Sequence, residues 1–396
     1  MGIYKKIALA AISFFLAFCF PHDAFCTENE WPQTRMDSGI IEKNLESREM
    51  DSVKEAVDKA FKETSISKAY NFSSEDLLSN ALKGKPLENL KGLPKILLSL
   101  LGKEIKSNLV LILEMYAVML LGAVIRAMQP LERGIPNEAA KLGINGIIVV
   151  IAAVSFGSIV SVVRTSIESM QHVASVAMPA LTAMMAASGK IVSVTAIQPV
   201  MLIGVNMACQ LLKTVLLPLA IMAGILFLVD SISDRFKLKT LAKLLKSCTV
   251  WLTGALTLVF SLLVTIQKLA SSSVDAATLK TTKFAIVTFV PVAGKYMSEA
   301  AETILLCTSA VRNAAGILTV IGLGLVVIHP FIKVFIIMLS FRLAAAFGSP
   351  ICDECISDAL EDVAGCLSVI IGILGAALFV LVLLTGTLMS SSGLMS

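Results

Sequence analysis

Gly365-Cys-Leu-Ser-Val-Ile-Ile-Gly-Ile-Leu-Gly-Ala-Ala-Leu-Phe-Val-Leu-Val-Leu-Leu-Thr-Gly-Thr-Leu388 contains no charged residue and decides the fold class of this chain. A helix needs roughly 20 apolar residues to cross bilayer hydrocarbon. This stretch meets that length, and it is not alone. Clear apolar runs also cover residues 109–127, 143–163, 210–229, 248–267 and 316–340. Shorter apolar pieces lie between them at 173–188, 191–207 and 285–297, each with Gly or Pro at or near an end. One soluble core cannot bury so many long runs. The alternating ten-residue pattern of a barrel is absent, so helices are the spanning form.

The whole chain agrees. Its 396 residues are 56% hydrophobic and 16% charged. A soluble globule has about 45–50% apolar and about 25% charged residues. The expected fold is therefore all-α, a polytopic helical membrane protein. The net charge of +4 gives no nucleic-acid footprint, because basic and acidic residues nearly cancel over 27–106 and the basic surplus lies between spans.

Upstream of the spans the character changes. Lys5 and Lys6 precede an apolar stretch from Ile7 to Phe20, and Ala24-Phe25-Cys26 offers small residues for cleavage. Residues 1–26 read as a signal peptide, with an uncleaved anchor as the alternative. Residues 27–106 read as an extracytoplasmic linker followed by amphipathic helices. Met50, Val53, Val57, Ala60 and Phe61 fall at helical spacing, and Ser73 with Asp76 resembles a capping box. Leu93, Ile96, Leu97, Leu100, Leu101 and Ile105 form an apolar stripe opposed by Lys95, Lys103 and Lys106. That helix lies either on the membrane surface or packed against its neighbours. Residues 107–396 form the multi-span domain.

Charge sets orientation. Residues 230–247 carry Arg235, Lys237, Lys239, Lys243 and Lys246 against two acids, which places this loop in the cytoplasm. The mature N-terminus is then extracytoplasmic. Region 173–207 must cross an even number of times, as a re-entrant hairpin turning near Gly189-Lys190 or as two short spans. Units 143–229 and 248–340 share an order of parts, and Pro179/Pro218 repeat the separation of Pro291/Pro330. Two readings stand: a parallel internal repeat with broken helices that line a pathway, or a coincidence of two proline pairs.

Enzyme signals are weak. His22, His172 and His329 have no ligand spacing, and no phosphate loop or nucleophile elbow is present. Cys352-Asp-Glu-Cys355 is a lone CxxC with acidic neighbours that disfavour a thiolate, so it reads as a structural loop rather than a redox pair or metal site. The chain is expected to be no enzyme and to hold no cofactor or metal. Intramembrane polar residues are the better candidates, because they are costly. Glu114 interrupts the first span; Asn206, Gln210 and Lys213 sit between two apolar runs; Lys333 lies in the Pro330 span. Pro291 and Gly294 break a run that Glu299, Glu302, Arg312 and Asn313 follow. Glu302 and Arg312 are expected to share a face and pair across a helix contact. For each residue, interhelical packing competes with a pathway role.

These stretches bring a resemblance into view. Asp230-Ser-Ile-Ser-Asp-Arg-Phe-Lys, Leu241-Ala-Lys-Leu-Leu, Thr278-Leu-Lys-Thr-Thr-Lys-Phe and Phe289-Val-Pro-Val-Ala-Gly-Lys are followed by Ser298-Glu-Ala-Ala-Glu-Thr and Val311-Arg-Asn-Ala-Ala-Gly. In this order they resemble the stage III sporulation protein AE family of endospore formers, across the membrane domain. The resemblance implies a non-enzymatic, channel-like or export-gate subunit in the mother-cell membrane around the forespore. It also implies partners from the same operon, including a secretion-type ATPase and ring-forming proteins, and it leaves room for a homo-oligomer. A self-contained secondary transporter for a small solute is the alternative class. A membrane thiol oxidoreductase rests on Cys352 and Cys355 alone.

Overall fold

The computed structural model describes residues 47–64, 73–82, 93–128, 135–232, 238–289, 294–349 and 354–390. The expected signal peptide, Pro291 and Cys352 lie outside them; for Gly294, Glu302 and Cys355 only the backbone is described. The described residues are helical, with no strand among them.

Two short helices come first. Helix α1 (Arg48–Lys62) starts at Ser47, whose side chain accepts from the Met50 N–H. Acids in its first turn and lysines in its last suit the helix dipole. Helix α2 (Ser74–Leu82) is capped by Ser73, whose Oγ accepts the Asp76 N–H at 3.3 Å, as the sequence spacing suggested. Ser74 donates to Asp58 at 2.9 Å and ties α2 to α1. The apolar face of α1, including Met50, Val53 and Val57, is fully buried against the membrane helices.

The remaining helices are long. They are α3 (Leu93–Met128), α4 (Ile135–Ala187), α5 (Ile191–Leu211), α6 (Leu217–Asp230), α7 (Lys239–Phe289), α8 (Gly294–Gly348) and α9 (Glu354–Ser390). Six stretches among the described residues are long and apolar enough to cross a membrane: Leu97–Val124, Gly143–Ala187, Ser193–Asp230, Lys239–Gln267, Glu299–Gly348 and Ile356–Met389. Each contains or overlaps one of the clear apolar runs of the sequence. The short pieces are not separate elements. Residues 173–187 prolong α4, and 191–207 form most of α5, which joins α6 through a single π-helical turn at Leu212–Leu216. The hairpin does turn at Gly189, whose φ of 81° suits a residue without a Cβ. Its arms, however, run on unbroken into the flanking spans. The amphipathic stripe before the first span also belongs to one helix with it, and Leu97, Leu100 and Leu101 pack with Phe61, Leu325 and Ile328. These three residues of the stripe pack against neighbours, whereas Ile105 is exposed.

Helices α8 and α9 are central. Their most apolar windows are 72% and 67% buried, against 22% for α3 and 17% for α7. They run antiparallel, with Gly316 close against Met389. The outer helices turn leucines, isoleucines and valines outward, as a lipid-facing surface should. Thr249, Thr253 and Thr257 of α7 each donate to the carbonyl four residues earlier, so their hydroxyls are satisfied within the helix.

The proline pairs give the proposed repeat no support. Pro218 starts α6, whereas its counterpart Pro330 lies inside α8; Pro179 lies inside α4, and its counterpart Pro291 is outside the described residues.

Candidate functional site

Two charged levels frame the bundle. At one end Asp230 Oδ1 accepts the N–H groups of Leu238 and Lys239 at 2.7 and 2.9 Å, which starts α7. Lys239 Nζ reaches Asp358 at 2.8 Å and Asp362 at 3.8 Å, and so ties α7 to α9. Lys246 lies 5.6 Å from the ring centroid of Phe227. Asn145 donates to the Ser231 carbonyl at 3.0 Å and brings α4 to the same level. The basic loop of the sequence is thus shorter than expected, because α7 begins at Lys239.

At the second level Glu168 meets Lys213 at 3.2 Å and Arg164 at 3.5 Å. Gln171 donates to Asn206 at 2.8 Å, and Ser169 donates to Glu63 at 3.5 Å. Two sequence candidates, Asn206 and Lys213, are therefore partners in a collar rather than isolated intramembrane groups. Along α4, Asn145 and Arg164 are about 28 Å apart at 1.5 Å per residue, close to one hydrocarbon thickness of about 30 Å.

The helices do not stop at the collar. Helix α4 continues from Glu168 to Ala187, about 28 Å further. Helix α8 has 55 residues, so it is about 80 Å long. Gly322 of α8 approaches Val57 of α1, near the collar, and Arg312 lies ten residues farther out, about 15 Å.

That outer stretch of α8 holds the most unusual group in the molecule. Arg312 is 0% exposed, and its three guanidinium nitrogens have no hydrogen-bond partner among the described residues. Thr308 and Ser309 are buried beside it, and Asn313 Oδ1 is buried and unbonded. The expected Glu302–Arg312 pair is not what holds this guanidinium. Both residues lie on one continuous helix, with α-carbons about 15 Å apart along its axis, beyond the reach of a direct pair. Glu299 is exposed, and Lys333 is half-buried farther along α8. Glu114 is exposed on α3.

Sequence reasoning passed over three charged residues. Lys190 is 4% exposed at the hairpin turn. Glu168 has no local sequence signal that singles it out. Arg342 is exposed on α8 just past the apolar run 316–340. Among the described residues no group of His, Cys, Asp or Glu has the arrangement of a metal site.

The model of the family described as stage III sporulation protein AE matches residues 72–393, from α2 through α9. The chain belongs to this family. Membership gives it a role in sporulation. A relative named stage III sporulation protein AE, from Bacillus subtilis, is 29% identical over 168 residues, which is 42% of this chain and 42% of that protein. The alignment therefore spans less than half of the relative's length. No solved structure matches the chain.

Proposed function

We propose that the chain is a membrane channel or export-gate subunit of an apparatus linking the mother cell to the engulfed forespore. In this reading it works in the mother-cell membrane and as no enzyme. The observation that carries the reading is the continuation of α4, α5 and α8 past the outer charged collar. A helix that only crosses a bilayer ends near its charged boundaries. These helices run on for about another bilayer thickness and stay packed, so they build a body beside the membrane. Such a body suits a subunit that meets other components across an intermembrane space. The basic level around Lys239 and Lys246 is cytoplasmic by the positive-inside rule, so the outer body and the mature N-terminus face that space.

A self-contained ion-coupled transporter fits less well. Its coupling carboxylates should sit buried in the bundle. The charged residues buried among those described are Lys190 and Arg312, with no Asp or Glu.

A crosslinked pull-down of the tagged chain from sporulating cells tests the proposal. Recovery of a secretion-type ATPase and ring-forming membrane proteins is the expected result. Recovery of the chain without other envelope proteins, together with solute uptake by liposomes containing the purified chain alone, would replace it with the transporter reading.

A further inference from the structure

An arginine keeps its proton at physiological pH, so its burial is not relieved by neutralisation as it is for an acid or a lysine. A buried charge without a partner is strongly destabilising. Arg312 is such a charge, and the described residues supply no counter-charge. No described carboxylate acts on its guanidinium. Glu299 and Glu302 share its helix but lie about 20 and 15 Å away along the axis. No Asp or Glu is buried among the described residues. The end of α9 offers only a fraction of a charge. Gly316, one turn inward of Arg312 on the same side of α8, lies against Met389, so Arg312 sits over the last turn of α9. The negative end of a helix dipole amounts to about half an elementary charge.

The surroundings decide what can reach this group. Every residue from Cys307 to Arg312 is buried, and six successive positions cover all sides of a helix. A side chain tied to a partner's backbone therefore finds no open face of α8 to approach here. A lipid headgroup is excluded by height, because Arg312 lies about 15 Å outside the level of Gly322 and Val57, near the collar. A small ion dissolved in the surrounding water meets neither obstacle.

We propose that Arg312 is the receptor for a small oxyanion, a phosphate or a carboxylate, taken up inside the outer body between α8 and the end of α9. The guanidinium presents a planar fork of N–H groups that matches two oxygens of either group. Ser309, three residues earlier, and Asn313, the next residue, lie within about 100° of it around the helix. They add a buried hydroxyl and an amide whose N–H edge can turn to the anion. Met389 is the movable wall, because its unbranched side chain has three rotatable bonds and Gly316 opposite it has no side chain. The site is independent of whether the chain works as an export-gate subunit or as a transporter.

The test uses the purified full-length protein in detergent. Equilibrium dialysis against labelled inorganic phosphate and, in a separate series, labelled acetate is run at constant ionic strength in chloride. One bound ion per chain in at least one series is the expected result, and the series that binds names the group. Arg312→Met weakens that binding about 10- to 100-fold, the loss expected of charge-assisted hydrogen bonds. Arg342→Gln, at an exposed position on the same helix, leaves it unchanged. The thermal midpoint rises with the binding salt in the wild type and not in Arg312→Met. Ser309→Asp places a carboxylate three residues before Arg312, where the two can pair. It raises the midpoint without added anion and abolishes binding. The proposal falls if neither ion binds at that stoichiometry, if Arg312→Met binds as tightly as the wild type, or if Arg342→Gln loses as much. Should Arg312→Met fail to fold, Ser309→Asp decides alone, and full binding by that variant overturns the site.

Discussion

The inner and outer halves of this bundle hold their charges in opposite ways. Between the Lys239–Asp358 level and the Glu168–Lys213 collar, the buried surface is almost wholly apolar and the charges face outward or sit at the two rims. Beyond the collar, Arg312 and Lys190 are drawn into the protein, and Thr308 and Ser309 are buried beside Arg312 among apolar residues. Lipid explains the first arrangement, since a helix pays no penalty for showing leucine to hydrocarbon. It does not explain the second. A buried guanidinium without a partner destabilises a fold, so the outer half carries a feature that stability alone would remove.

The sharpest way to break this comparison is accessibility. In a background without native cysteines, Ala187→Cys at the exposed end of α4 should react fully with a membrane-impermeant thiol reagent in protoplasts of the mother cell. Lys243→Cys should be protected until the membrane is opened. Equal labelling at both positions would end the assignment of an inner and an outer half.

Next in size is Arg312→Met. Removing an unpaired buried charge while keeping the volume should leave the thermal midpoint of the purified protein unchanged or higher. Spore yield should nevertheless fall by orders of magnitude at normal protein level. A stabilised variant that sporulates normally would make Arg312 an uncompensated structural residue, and the contrast between the halves would lose its functional meaning.

The inner half should fail for a different reason, steric fit. A Cβ on Gly224 of α6 would lie 2.7 Å from Phe156 Cζ of α4. Gly224→Leu should cost about 1–3 kcal/mol or more and lower the amount of protein recovered in membranes. Wild-type recovery and melting would show that α4 and α6 separate more readily than their packing indicates.

The smallest effect belongs to the collar itself. The Glu168 side chain is 47% exposed, so Lys213→Ala should cost no more than about 1 kcal/mol. Thermal melts of the detergent-solubilised protein measure it, and a larger loss would mark the collar as a buried network.

Much of this was legible in the sequence, and the physical reasons differ by element. The six spans stood out because hydrocarbon demands long apolar runs. The cap of α2 stood out because Ser73 and Asp76 act locally. The length of α4 was hidden by Pro179, which reads as a breaker although neighbouring helices support the helix through it. The fate of the leader stripe depended on Phe61 and Leu325, partners distant in sequence. Arg312 was visible as a candidate, but its lack of a partner was not. The proposed contact with Glu302 failed because a continuous helix carries the two residues apart.

The π-helical turn at Leu212–Leu216 has a mechanical consequence. Such a turn interrupts the i→i−4 ladder of the α-helix on either side, is a common site of helix bending and commonly marks a functional site. It falls at the collar, and Lys213, one of its five residues, is moored to Glu168 on the neighbouring helix. The outer arm α5 is thus a lever whose fulcrum lies at the membrane surface. Force applied to its far tip, where Gly189 turns the chain, is transmitted to that turn before it reaches the stiff segment α6 in the lipid.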